Sequence, residues 1–183
     1  MKIVTWNINS IRLRIEKVIQ LITDKNIDII CLQETKTPDE FFPSEEFKKV
    51  GMKYQYYRGE NSYNGVAILS RLKLQTPKHI NWCRKNDTRH ISVKLNDKIE
   101  LHNFYVPAGG DEPNLLTNHK FEHKISFLKE MSKFFSKNTK KNKILVGDLN
   151  IAPFENDVWS HRQLLNVVSH TPVETETLLD IIH

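Results

Sequence analysis

The chain has 183 residues, of which 27% are charged and 39% hydrophobic. That balance fits one globular domain with a core of its own and excludes a disordered or fibrous chain; no run of about 18 apolar residues exists to span a membrane. Lys and Arg number 27 against 22 Asp and Glu, a formal charge of +5 that permits a nucleic-acid partner without establishing one. Cys31 and Cys83 form neither a disulfide framework nor a zinc pattern, and MKIVTWNINS lacks a signal-peptide core, so a reducing, cytoplasmic setting is expected.

In chain order, Lys2 to Trp6 reads as a β-branched strand stopped by Asn7-Ile8-Asn9-Ser10. Ile11, Ile15, Val18, Ile19 and Ile22 share one helical face, and Lys25-Asn26 closes that helix. Ile27 to Gln33 is a continuous apolar run, a strand buried on both faces, with Cys31 as a core thiol. A short helix is expected from Asp39 to Val50, then strands over Tyr54–Arg58 and Val66–Ser70, with Asn64-Gly65 as a turn signal. His90–Leu95 and Ile99–Tyr105 form a hairpin through Asn96-Asp97. After a loop with Pro107, Gly109, Gly110 and Pro113, a helix from Lys120 to Ser136 carries an apolar stripe of Phe121, Ile125, Phe127, Leu128, Met131 and Phe135. Lys143 to Val146 is another buried strand. The densest basic cluster, Lys133 to Lys143, reads as a solvated helix end and loop. Thr171, Pro172 and Glu174 form a capping box at the head of a last helix. Alternating strands and helices point to a layered α/β or α+β fold.

Four apolar strands end in polar residues: Asn7, Glu34, Tyr105, and Asp148 with Asn150. Ligands of layered α/β sheets bind outside the carboxyl ends of strands, so the four segments can converge on one rim. Asn and Asp often end strands merely as turn residues. Glu34 is less easily explained that way, because Glu is not a favoured turn residue. Two acids with amides and a phenol suit a hard cation that keeps several waters, and metal-assisted phosphoryl transfer with a carboxylate orienting or deprotonating water. No HExxH or CxxC spacing supports zinc, and neither a P-loop nor a GxSxG elbow occurs.

The ordered set IVTWNINSIR, ICLQETK, YNGVAILS, DTRHISV, NFYVP and VGDLNIAP resembles the exodeoxyribonuclease III family of the endonuclease/exonuclease/phosphatase superfamily. The resemblance implies a four-layer sandwich, two packed mixed β-sheets flanked by helices. It also implies DNA-repair hydrolysis of phosphodiesters with Mg²⁺, or Mn²⁺ as a substitute: 3′-to-5′ exonuclease action on duplex DNA and cleavage 5′ to abasic sites. By motif position, Glu34 is the principal metal ligand. Asn7 supports the metal and Asp148, which orients or deprotonates the attacking water. Asn150 holds the scissile phosphate beside the metal, and Tyr105 contacts that phosphate or assists the leaving group. Asn9 and Lys36 are supporting residues, and Arg12 and Trp159 are candidates for DNA contact. His161 lies in the same loop as Trp159. The expected partner is double-stranded DNA, abasic or 3′-blocked, bound by a monomer with no membrane association.

Two departures from the family pattern stand out. Ala108 in YVPAGGD occupies a place where the family often has Asn. No Asp-His dipeptide occurs anywhere, although the family closes on Ser-Asp-His. Residues 1–183 therefore read as a single domain truncated at its C-terminus, without the closing strands of its second sheet, and weakly active or inactive alone. The alternatives are a superfamily phosphatase or phosphodiesterase on lipid or inositol phosphates, a DNA-binding module without catalysis, and a catalytically impaired fragment.

Overall fold

The computed structural model describes residues 1–137 and 142–182. They fall into two compact units, one of residues 1–81, 85–105 and the strand ending at Asp148, the other of residues 82–84, 106–137 and 149–182.

The first unit holds both sheets. One has the order β1-β2-β4-β3, from β1 (Ile3–Asn7), β2 (Ile29–Gln33), β3 (Tyr54–Glu60) and β4 (Tyr63–Ser70). The other has the order β5-β6-β7-β8, from β5 (Gln75–Lys78), β6 (His90–Lys94), β7 (Ile99–Tyr105) and β8 (Asn142–Asp148). The pairs β1/β2 and β7/β8 are parallel and the rest antiparallel, so both sheets are mixed. Ile29, Cys31, Val66 and Ile68 pack against Ile91, Val93 and Leu101 as the core between the sheets. On its other face the first sheet is covered by α1 (Ile11–Asp24) and α2 (Ser44–Lys49), with Ile11, Val18, Ile22 and Phe47 buried against Ile30, Leu32 and Leu69. β2 is buried at all five positions because apolar layers cover both its faces. Burial also pushes the Cys31 thiol up, as a core residue requires.

The expected two mixed sheets with helices are the observed architecture. The helix expected over Asp39–Val50 is split into a 3₁₀ turn at Asp39–Phe41 and α2, because Pro43 cannot donate within a helix and precedes α2. β5 escapes sequence reading: QTPK has no apolar alternation, and its Pro is tolerated at a sheet edge.

The second unit is helical, with α3 (His119–Lys137), α4 (His161–Leu164) and α5 (Pro172–Ile182), and α3 packs against α5. Trp82 lies within this unit against Phe127 and Phe134, at 5.5 and 5.7 Å between ring centroids. The basic cluster Lys133 to Lys143 lies in part, at 138–141, outside the described residues. No described helix is long and apolar enough to cross a membrane.

Candidate active site

The parallel pairs decide what meets. In β1/β2 the register sets Asn7 beside Gln33, and in β7/β8 it sets Tyr105 beside Asp148. The four carboxyl ends thus carry Asn7, Glu34, Tyr105 and Asp148. The Asn7 amide joins the two sheets: Nδ2 donates to Glu34 Oε1 at 2.8 Å and to Asp148 Oδ2 at 2.7 Å. Its Oδ1 accepts the Asn9 N–H at 3.1 Å. Lys36 Nζ lies 2.8 Å from Glu34 Oε2 and donates to Asn9 Oδ1 at 2.5 Å. The Tyr105 hydroxyl also bonds Glu34.

These bonds set the charges. Burial alone would raise the Glu34 carboxyl, but hydrogen bonds from Asn7, Lys36 and Tyr105, with the Lys36 charge, hold it below its ordinary range. Tyr105 moves the other way. Burial pushes its phenol up, the bond to Glu34 and the Glu34 charge push it further, and Arg89 opposes them. Tyr105 is therefore a neutral hydroxyl donor at neutral pH. Arg89 stacks its guanidinium 4.8 Å from the Tyr105 ring centroid, donates Nε to Asp87 at 2.8 Å and Nη1 to the Tyr105 carbonyl at 3.3 Å.

The backbone that presents Glu34 is strained. Glu34 (φ 54), Lys36 (φ 51) and Asn9 (φ 44) are left-handed, a region that non-glycine residues enter at a cost of about 1 kcal/mol or more each. Main-chain bonds compensate: Thr35 N–H to the Gly65 carbonyl (3.2 Å), Lys36 N–H to Asn64 (3.0 Å) and Ser10 N–H to Glu34 (2.7 Å). Gly65, at φ 93, makes the approach possible, since a Cβ there would lie 2.1 Å from Thr35 Oγ1.

Beneath the rim, two buried amides tie the sheets together. Gln33 Nε2 donates to Asn103 Oδ1 at 2.6 Å, and Asn103 Nδ2 donates to the Leu32 and Ala67 carbonyls at 3.0 and 2.9 Å. Sequence reading assigned no role to Gln33, Asn103 or Arg89. The signal for the first two is an amide inside an otherwise apolar strand.

The structure therefore brings Asn7, Asn9, Glu34, Lys36, Tyr105 and Asp148 together. Arg12 is exposed on the first turn of α1. Asn150 and Trp159 belong to the second unit. There, Asn150 is left-handed (φ 51) and donates Nδ2 to the Val106 carbonyl at 2.9 Å, while Trp159 is 76% exposed. In the same unit His161 Nδ1 lies 2.9 Å from His170 Nε2. Among the described residues, no three His, Cys, Asp or Glu side chains group as a metal cage. A donor set of two carboxylates with amides fits a hard cation that keeps its waters, and it does not fit zinc.

Two facing mixed sheets with acids at their strand ends are the arrangement that the comparisons with known proteins also find. The chain belongs to the Endonuclease/Exonuclease/phosphatase family, whose model matches residues 4–172. It is 32% identical over 168 residues to exodeoxyribonuclease III of Haemophilus influenzae, covering 86% of this chain and 60% of that protein's length. An AP endonuclease structure from Archaeoglobus fulgidus superposes with a TM-score of 0.89 at 30% identity, over 100% of this chain and 70% of that one. A Neisseria 3′ phosphatase bound to a product DNA hairpin gives 0.89 at 27% identity, with the same coverage.

Proposed function

We propose that this chain is an exodeoxyribonuclease III-like DNA-repair nuclease that hydrolyses phosphodiesters of duplex DNA, at 3′ ends and 5′ to abasic sites, with Mg²⁺ or Mn²⁺. The observation that carries this reading is the Asn7 clasp, which holds carboxylates from two different sheets on one amide at 2.8 and 2.7 Å. Two acids drawn that close favour a cation between them and a phosphate.

Glu34 would hold the cation, with Asp148 and Asn150 contributing oxygen and Asn7 supporting both acids. The cation, when bound, neutralises phosphate charge. Asp148 orients and deprotonates the attacking water. Tyr105, protonated at neutral pH, donates to the phosphate or to the departing 3′ oxygen. Asn150, two residues beyond Asp148 in the chain, holds a phosphate oxygen. Lys36 and Asn9 keep Glu34 ionised and oriented. Arg12 and Trp159 contact the DNA, which is double-stranded and abasic or 3′-blocked, and the enzyme acts as a monomer.

No Asp-His pair exists in the 183 residues to balance charge at the phosphate, so this polypeptide alone is expected to cut slowly. The test is nicking of a duplex with one abasic site, in Mg²⁺ and in EDTA, beside Asp148→Asn. Metal-dependent nicking lost in the variant supports the reading. Salt-dependent duplex binding without nicking would instead leave a DNA-binding module.

A further inference from the structure

Position 124 falls on the buried stripe of α3, among Phe121, Ile125, Phe127 and Leu128, yet it is a lysine with 0% exposure. Lysines near a surface extend their ammonium to water; this one is held inside. Lys124 Nζ lies 2.6 Å from Glu174 Oε1, and Glu174 is also 0% exposed. Nζ further donates to the Asn150 carbonyl at 2.6 Å, and to the Ala108 carbonyl and Ser169 Oγ at 3.2 Å each. Glu174 is equally well held. It accepts the Ser169 N–H at 2.9 and 3.0 Å, the Thr171 N–H at 3.2 Å and the Thr171 hydroxyl at 2.6 Å, at the head of α5.

Stability alone does not call for this pair, because a well-packed apolar pair usually serves as well. What the pair adds is direction. Two of the lysine's bonds end on main-chain carbonyls of the YVPA and GDLN loops, which carry Ala108 and Asn150. The Asn150 loop is also tied at Ala152, whose N–H donates to the Ser169 carbonyl at 2.9 Å and whose carbonyl lies 2.7 Å from His170 Nδ1. Gly109, at φ 94, lets the other loop close: a Cβ there would stand 2.9 Å from Lys124 Cδ and 2.8 Å from Val168 Cγ1.

We infer that Lys124 and Glu174 are positioning residues for Asn150, their buried ion pair fixing its left-handed backbone and thereby the direction of its side-chain amide. The functional consequence rests on the reading of Asn150 as the holder of the scissile phosphate; the anchoring itself does not. Lys124 is enclosed by protein acceptors and touches no substrate.

The test compares the whole chain with Lys124→Met and with Lys124→Met/Glu174→Gln. Unfolding, hydrogen exchange at residues 149–153 and cleavage of an abasic duplex are measured on each. The single variant leaves a buried carboxylate without its cation and is destabilised; the double variant removes both charges and regains stability. A merely structural pair predicts that exchange and activity recover with stability. Positioning predicts that they do not: the double variant keeps exchange at 149–153 faster by about tenfold, α3 and α5 stay protected, and kcat falls about 10²-fold with KM within about threefold. Exchange at 149–153 as slow as in the unaltered chain overturns the inference. So does an unchanged kcat in a chain that cuts. If the unaltered chain cuts nothing with any divalent ion, the nuclease reading fails, and exchange alone decides the anchoring. Should the double variant not fold, Glu174→Gln replaces it, with the same loosening at 149–153 expected and wild-type exchange overturning the inference.

Discussion

The rim of the first unit and the interior of the second hold their lysine-paired carboxylates differently, the one partly open to water and the other sealed from it. At the rim, Glu34 and Asp148 share one neutral amide, and Glu34 stands on a left-handed residue at a strand end. In the second unit Glu174 meets its cation at 2.6 Å and accepts further bonds from Ser169 and Thr171, all out of water. In the first arrangement Glu34 also meets Lys36 at 2.8 Å, and the pair is partly open to water. The second is satisfied by the protein itself. Poised groups suit chemistry and satisfied groups suit anchoring, so the same residue type does different work in the two places.

The sharpest way to break the comparison is to neutralise each acid in turn. Glu34→Gln should lower metal-dependent cutting on the order of 10⁴-fold while lowering the urea midpoint only slightly, because the pair it loses with Lys36 is partly open to water. A large fall in the midpoint would make the rim as structural as the interior. Glu174→Ala should show the reverse pattern first, losing about 4 kcal/mol in urea unfolding, because Lys124 is left buried without its counter-ion. A loss under about 1 kcal/mol would mean that water reaches the pair. Asn103→Leu should cost about 2 kcal/mol and lower cutting as well, since the Leu32 and Ala67 carbonyls would lose their donor and Gln33 one of its three acceptors just below Glu34. Stability lost with cutting intact would separate the buried amides from the rim.

A buried histidine pair in the second sheet predicts a pH dependence of similar or smaller size. Ile80 N–H donates to His90 Nδ1 at 3.1 Å, so His90 Nε2–H donates to His102 Nδ1 at 3.1 Å. Burial, with Lys143 against the opposing Glu100, holds His102 down to about 4, and burial with His102, His79 and Arg58 holds His90 well below its ordinary value. The unfolded chain takes up these protons first as pH falls. Stability is therefore full above the ordinary value of 6.5 and is lost as pH falls toward about 4. From pH 7 to pH 5, His102 alone should cost about 2 kcal/mol, and His102→Gln should flatten that slope in urea titrations.

Much of this molecule is legible in one dimension. The isoleucine spacing of α1, the two-sided burial of β2, the stripe of α3 and the start of α5 at Pro172 are local patterns, and each element formed where its pattern lies; of the expected capping box, the bond from the Thr171 N–H to Glu174 is formed, while the Glu174 N–H bonds the Thr171 carbonyl. Short or irregular pieces were not legible. Pro43 broke one expected helix, and β5 has no pattern to read. The rim residues were legible as residue types at strand ends, because a polar residue that halts an apolar run is visible without knowing its neighbours.

Only tertiary structure decided what those residues meet. Asn7 reaches Asp148 across 141 positions through the registers of two separate sheets, and no local pattern encodes that contact. The left-handed turn at Glu34 depends on Gly65 and Asn64 from another hairpin. Lys124 reads in the sequence as one more charge on a helix; only packing against α5 turns it inward. Periodicity reports which face of an element is apolar. Partner and direction are set by the long-range closure that gives a buried polar group its only solvent, the rest of the protein.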